Sequence, residues 1–168
     1  EQIKADRGYG PVLRDRGFLA FCAVYVLATM PAPMMMMLLP VYAKENFGVP
    51  VSQYGFIMAT NAIMVVLFQY SVTRKSEGFP PLRVLALGAL LYAAGVGSVA
   101  LGQSAPAFVV SMAILTLGEL LLIPTATALA ANLAPPDMRG RYMGLFGLTW
   151  SIGFGIAPVI GGVLNDRV

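Results

Sequence analysis

Five long apolar runs constrain the fold of this chain more than any other feature of its sequence. They cover residues 18–43, 52–73, 82–102, 106–132 and 141–164. A helix needs about 20 apolar residues to cross a hydrocarbon core of about 30 Å, and each run is long enough for one crossing. The runs lack the alternating pattern of transmembrane β-strands. The sequence therefore predicts an all-α membrane protein with five transmembrane helices, which we number as spans 1 to 5.

Composition excludes several classes of protein. Only 11% of the residues are charged, against about 25% in soluble domains. The sequence has no histidine and one cysteine, Cys22, which argues against disulfide frameworks, Cys/His metal sites and Cys-His nucleophiles. We therefore expect no metal, no cofactor and no enzymatic activity. The formal charge of +3 is better explained by basic loops than by a nucleic-acid partner.

Basic residues are distributed unequally around the five spans. Nine of them precede span 1 or flank the loops that follow spans 2 and 4, whereas two lie on the opposite side. The positive-inside rule assigns the larger group to the cytoplasm. We therefore predict a cytoplasmic linker at residues 1–17, a cytoplasmic N-terminus and an external C-terminus, in a plasma (inner) membrane. The polar run before span 1 is typical of an internal linker, which indicates a piece of a longer polypeptide.

Small residues form two stripes along span 5. One stripe consists of Gly144, Gly147, Ser151, Gly155 and Pro158, and the other of Gly153, Ala157 and Gly161. Small residues at this spacing let helix backbones approach closely, so we expect span 5 to lie between neighbouring helices. Close packing alone accounts for the spacing as well as a functional motif does.

The order of small residues in span 5 resembles the glycine-rich antiporter motif of the major facilitator superfamily. The matching positions are Gly144, Gly153, Ala157, Pro158, Gly161 and Gly162, with Ala157 replacing one glycine. The preceding loop, which carries Arg139 and Arg141, resembles a cytoplasmic loop of drug-exporter-like members. The resemblance implies that the spans are helices seven to eleven of a twelve-helix transporter, most of one six-helix half. It also implies a second six-helix half or other membrane subunits as partners, besides the lipid bilayer and a small-molecule substrate.

Glu119 is the only acidic residue well inside an apolar run. An ionised carboxylate there costs about 2.5 to 3.5 kcal/mol on insertion scales, and such groups mark proton or substrate sites by default. Glu119 is therefore the leading candidate for proton coupling or substrate contact. The alternative is a permanently neutral side chain that is hydrogen-bonded to a backbone carbonyl or to Thr116.

Three further residues are candidates for lining a cavity. Asn61 and Gln69 lie on one broad face of span 2, where they could face a cavity or join two helices by hydrogen bonds. Trp150, the sole tryptophan, falls inside span 5, where it could stack on a flat ligand or fill space in the bundle.

Two patterns predict local geometry. Pro31, Pro33 and Pro40 should bend span 1. In span 3, glycines recur every seven residues, at Gly88, Gly95 and Gly102, and should form a groove for a neighbouring helix.

These observations favour one functional hypothesis over two others. The first is part of a secondary active transporter that moves a small organic molecule by proton antiport. The second is a non-transporting membrane subunit that serves as a scaffold in a larger complex. An intramembrane enzyme is disfavoured because one buried acid with no histidine offers too few groups for catalysis.

Overall fold

The computed structural model describes residues 8–165, and within this range every regular element is an α-helix. The helices are α1 (Gly10–Arg14), α2 (Arg16–Thr29), α3 (Pro31–Phe47), α4 (Val51–Ser76), α5 (Pro81–Val99), α6 (Ala105–Leu133) and α7 (Arg139–Asn165). Five segments are long and apolar enough to cross a membrane: α2 with α3, then α4, α5, α6 and α7. The five predicted spans are confirmed, with ends that differ by a few residues because helices extend past their apolar centres.

Span 1 is broken where its proline cluster begins. Helix α2 ends at Thr29, and α3 starts at Pro31. Pro31 thus occupies the first turn of α3, where the missing backbone N–H of proline costs least. The Thr29 hydroxyl donates to the backbone oxygen atoms of Tyr25 (2.9 Å) and Val26 (3.2 Å). The dihedral angles of Met30, φ −50° and ψ −35°, remain helical, so the bend predicted from the prolines stays a prediction. Gly48 ends α3 in the left-handed region, at φ 63°, as a helix C-cap.

The predicted linker at residues 1–17 contains structure that its polar composition did not indicate. Residues 1–7 lie outside the described part of the chain, but Gly10–Arg14 forms α1 and Val12 is fully buried. Asp15 caps α2 by accepting a hydrogen bond from the Phe18 backbone N–H at 3.0 Å, and it also accepts one from the Tyr142 hydroxyl at 2.9 Å. These two donors lower the pKa of the Asp15 carboxyl below its ordinary value.

Helices α5 and α6 pack backbone against backbone, and their interface is the most extensive in the chain. A Cβ added to Gly95 would lie 2.7 Å from the Cα of Leu115, and one added to Gly118 would lie 2.6 Å from the Gly88 oxygen. The groove predicted from the glycines of span 3 is therefore confirmed, and α6 fills it. Helix α4 packs mainly on α6, while α7 packs on α2 and α3.

Candidate functional site

Glu119 lies on α6 and is held from the neighbouring helix α4. The Asn61 Nδ2 donates to Glu119 Oε2 at 2.6 Å and also lies 3.0 Å from Thr116 Oγ1. Thr116 is fully buried and donates its own proton to the Met112 oxygen at 2.8 Å. Because Thr116 uses its proton there, it acts as an acceptor toward Asn61. Glu119 is therefore not hydrogen-bonded to Thr116 itself, and an amide from another helix is its polar partner.

Two buried tyrosines lie on helices that contact α6. Tyr92 on α5 is fully buried and Tyr25 on α2 is 3% exposed. Neither hydroxyl makes a hydrogen bond within the described part of the chain. Both are close enough to Glu119 to interact with it electrostatically, and the Trp150 indole is a polar neighbour of the Tyr25 hydroxyl. Asn61 of α4 is thus the side chain that contacts Glu119 directly, and the two tyrosines lie in its vicinity without a hydrogen bond to it.

Sequence reasoning did not select Tyr25 or Tyr92, although one signal for Tyr92 was present. It lies four residues after Gly88 and three before Gly95, so it shares the helix face that the glycines predicted to contact a neighbour. The contact is with the segment that carries Glu119, because a Cβ added to Gly118 would lie 2.9 Å from the Tyr92 nitrogen. Tyr25 packs against Phe146 of α7, with ring centroids 4.8 Å apart, and spacing within α2 does not specify that contact.

The other cavity candidates occupy distinct places. Gln69 Nε2 lies 3.3 Å from the Leu120 oxygen on α6 and 2.9 Å from Thr73 Oγ1, so Gln69 and Asn61 both link α4 to α6. Trp150 is half-buried and lies 6.0 Å from Phe154 between ring centroids. These contacts show hydrogen bonding between helices for the two amides, and a cavity-lining role remains a prediction for all three residues.

The antiporter-like residues of α7 divide between two environments. Gly153, Ala157 and Gly161 are buried, and a Cβ added to Gly161 would overlap Leu38 of α3. Gly144, Gly147, Ser151 and Gly155 of the other stripe are exposed, and a Cβ added to Gly147 or Gly155 would meet no atom within 4 Å. Among the described residues, α2 and α3 cover one side of α7 only, so close packing is confirmed for the stripe of Gly153 and stays a prediction for the stripe of Gly144.

The remaining motif residues differ in exposure and in position along α7. Gly144 is exposed and Gly162 is partly exposed, while the side chain of Pro158 lies outside the described part of the structure. Arg139 and Arg141 were expected in a loop, but they lie in the first turn of α7. Helix α7 starts early because its first turn closes with hydrogen bonds from Arg141 N and Tyr142 N to the Met138 oxygen.

The chemistry available at this site is proton exchange and polar binding. Residues 8–165 contain no group of three His, Cys, Asp or Glu side chains that could hold a metal ion. A carboxyl group can accept two or more hydrogen bonds when ionised and can donate one when protonated. Asn61 supplies a donor to Glu119, and a carboxyl oxygen can accept that bond in either protonation state.

Five membrane-spanning helices around an intramembrane carboxyl group define the class as a polytopic membrane protein. The Major Facilitator Superfamily profile matches residues 18–168. The match covers most of the sequence, so the chain belongs to the major facilitator superfamily and is an integral membrane protein.

Curated relatives agree with this assignment. A Na(+), Li(+), K(+)/H(+) antiporter of Planococcus maritimus is 28% identical over 167 residues, which cover 91% of this chain and 39% of the relative. Multidrug resistance protein MdtH of Aeromonas hydrophila is 30% identical over 164 residues, 95% of this chain and 40% of the relative. An uncharacterized transporter of this superfamily in Escherichia coli, YdeE, is 33% identical over 109 residues, 64% of this chain and 27% of the relative. The chain thus spans at most two fifths of the length of these three relatives.

Proposed function

We propose that this chain forms part of a secondary active transporter that moves a small organic molecule by proton antiport, with Glu119 as the proton-exchanging group. The observation that carries the proposal is the 2.6 Å hydrogen bond between Asn61 Nδ2 and Glu119 Oε2, which joins two membrane-spanning helices at a carboxyl group. An ionisable group at this depth is costly unless a partner or a proton compensates it. Its protonation is therefore tied to the position of α4 relative to α6.

The packing of α4 supports movement at this contact. Ile57 is the only residue of α4 that is buried in the described structure, although the helix runs over 26 residues. Its polar connections to α6 are made by Asn61 and Gln69. A displacement of α4 would break the Asn61 bond and leave Glu119 without that donor. A change in partner is the local event through which proton binding can bias two conformations.

The exposed surfaces of the bundle support a second six-helix half, or another membrane subunit, as the partner. The outer face of α4 carries large apolar side chains such as Phe56, Val66 and Tyr70, all more than 70% exposed. The exposed stripe of α7 has only small residues at Gly147, Ser151 and Gly155. Small residues permit close approach of another helix in lipid. The names of the relatives support both the antiport and the multidrug components of the proposal. We further propose that the transporter lies in the plasma (inner) membrane, with its N-terminus in the cytoplasm.

The experiment compares Glu119→Gln with the parent in everted membrane vesicles that contain the complete protein. Respiration establishes a proton gradient, a pH-sensitive dye reports it, and ethidium or NaCl, KCl and LiCl are added in turn. We expect at least one addition to discharge the gradient in the parent and none to do so in Glu119→Gln, because glutamine keeps the size and polarity but cannot exchange a proton. Glu77→Gln, at an exposed position, is the matched control and should behave as the parent does.

Each alternative gives a different result. Discharge by Glu119→Gln at the parent rate would exclude Glu119 as the coupling group. Loss of ethidium binding to the purified variant would assign Glu119 to substrate contact. A parent that folds but discharges the gradient with none of these additions would favour the non-transporting subunit.

A further inference from the structure

A groove lies between the end of α4 and the start of α5, and its walls differ in character along its length. Its volume is about 290 Å³, and its walls include Val72, Phe79, Leu87 and Leu121. Phe79 and Leu87 are 64% and 52% exposed, so this apolar surface is open to the surroundings of the bundle. In a chain that spans a membrane, these surroundings include hydrocarbon chains. The groove therefore accepts an apolar chain.

Two cationic side chains line the groove where the two helices meet. Lys75 lies in the last turn of α4, and Arg83 lies in the first turn of α5. Both residues are exposed, and neither side chain has an ion pair or a hydrogen bond with any residue in the range 8–165. Ser76 also lines the groove, but its hydroxyl donates to the Thr73 backbone oxygen at 2.8 Å, which leaves the two cations as the donors for an anion. The N-terminus of α5 contributes a further positive potential, since backbone N–H groups in a first turn lack helical partners.

We propose that this groove binds an anionic phospholipid, with the phosphate between Lys75 and Arg83 and one acyl chain along Phe79, Leu87 and Leu121. The charges complement a phosphodiester, and the apolar walls complement a hydrocarbon chain. Free phosphate satisfies only the first requirement, and a zwitterionic lipid brings a cationic group to a surface that is already cationic. Basic pockets between helices on the cytoplasmic side are suited to such headgroups, and the distribution of basic residues assigns this loop to that side.

The test is native mass spectrometry of the complete protein in detergent, titrated with phosphatidylglycerol or phosphatidylcholine. One basic residue near a lipid surface contributes about a fivefold gain in binding, so Lys75→Gln combined with Arg83→Gln should weaken phosphatidylglycerol binding about 30-fold. The matched control combines Arg74→Gln with Arg139→Gln, which removes two exposed charges from the same predicted side but not from the groove. This control should bind as the parent does.

A second variant addresses the apolar part of the site. Leu87→Trp leaves both charges in place and fills the groove, so it should also reduce phosphatidylglycerol binding. Inorganic phosphate, added at the lipid concentration, should leave the bound lipid in place. The proposal is overturned if the control loses as much binding as the groove variant, if phosphatidylcholine binds the parent equally well, if Leu87→Trp binds normally, or if phosphate displaces the lipid.

Discussion

Replacement of Gly95 by alanine tests the central packing interaction of the bundle. The added Cβ would lie 2.7 Å from the Cα, Cβ and N atoms of Leu115. Carbon atoms in favourable contact are about 3.5 to 4.0 Å apart, so α5 and α6 would have to separate locally by about 1 Å. A gap of this size forfeits up to about half of the dispersion energy at each affected contact. Over-packing of this kind costs about 1 to 3 kcal/mol.

The same helix provides a matched control. Gly97 is exposed, and a Cβ added there would meet no atom within 4 Å. Alanine is favoured over glycine within a helix by up to about 1 kcal/mol in water, so Gly97→Ala should be neutral or slightly stabilising. The two variants differ by one methyl group from the parent and by two positions from each other. The expected difference in free energy of unfolding between them is therefore about 1 to 4 kcal/mol.

The assay is reversible unfolding in mixed micelles at increasing mole fractions of a denaturing detergent, followed by circular dichroism. The free energy of unfolding is extrapolated for the parent, Gly95→Ala and Gly97→Ala under one set of conditions. Equal stability of the two variants would refute the backbone contact between α5 and α6. A lower stability of Gly97→Ala than of Gly95→Ala would contradict the assignment of the packed face.

Three other predictions follow from the structure. Gly161→Leu should lower the melting temperature in detergent because Leu38 occupies that space, whereas Gly97→Leu, where an added Cβ meets no atom within 4 Å, should not; equal melting of the two variants would contradict the orientation of α7. Asp15→Asn should reduce stability near neutral pH, because the pKa of Asp15 is lowered in the folded protein. Its contribution to stability is present above about pH 4 and is lost as the pH falls through the folded-state pKa. The melting temperatures of the parent and the variant, measured between pH 7 and 3, should therefore converge at the acidic end. Cysteines introduced at Asp137 and Asn46 in a cysteine-free background should react with a membrane-impermeant maleimide from the cytoplasmic and external sides respectively, and labelling from one side only would overturn the predicted orientation.

The positions of the spans could be predicted because a helix that crosses the hydrocarbon core requires only a continuous apolar run of sufficient length. The described helix α6 extends over Ala105–Leu133, against a prediction of 106–132, and α4 over Val51–Ser76, against 52–73. The interruption of the span 1 helix at Met30 was also predictable, because proline lacks a backbone N–H donor in any fold. The helix at Gly10–Arg14 was missed because it has only five residues and begins with Gly and Pro, and Val12 is buried only by contacts made in the folded protein.

The stripes of α7 show the limit of spacing arguments. Both stripes have small residues at helical intervals, yet a Cβ added to Gly161 would overlap Leu38, whereas one added to Gly155 would meet no neighbouring atom within 4 Å. Sequence spacing determines which residues share a face of a helix, but it does not determine which face another helix covers. That choice depends on the contacts of α7 with α2 and α3.

The sequence by itself determined that this chain crosses a membrane, where it crosses, and that Glu119 is its exceptional intramembrane acid, since the cost of a charge in hydrocarbon depends on composition and depth. The tertiary structure alone decided what surrounds that acid. Asn61 reaches Glu119 because α4 packs on α6, and Tyr92 of α5 and Tyr25 of α2 come near it because both helices also contact α6. Helical periodicity relates only residues within one helix. The partners of Glu119 depend on how separate helices are rotated relative to one another, and close contacts such as that of Gly118 with the Gly88 backbone determine this rotation.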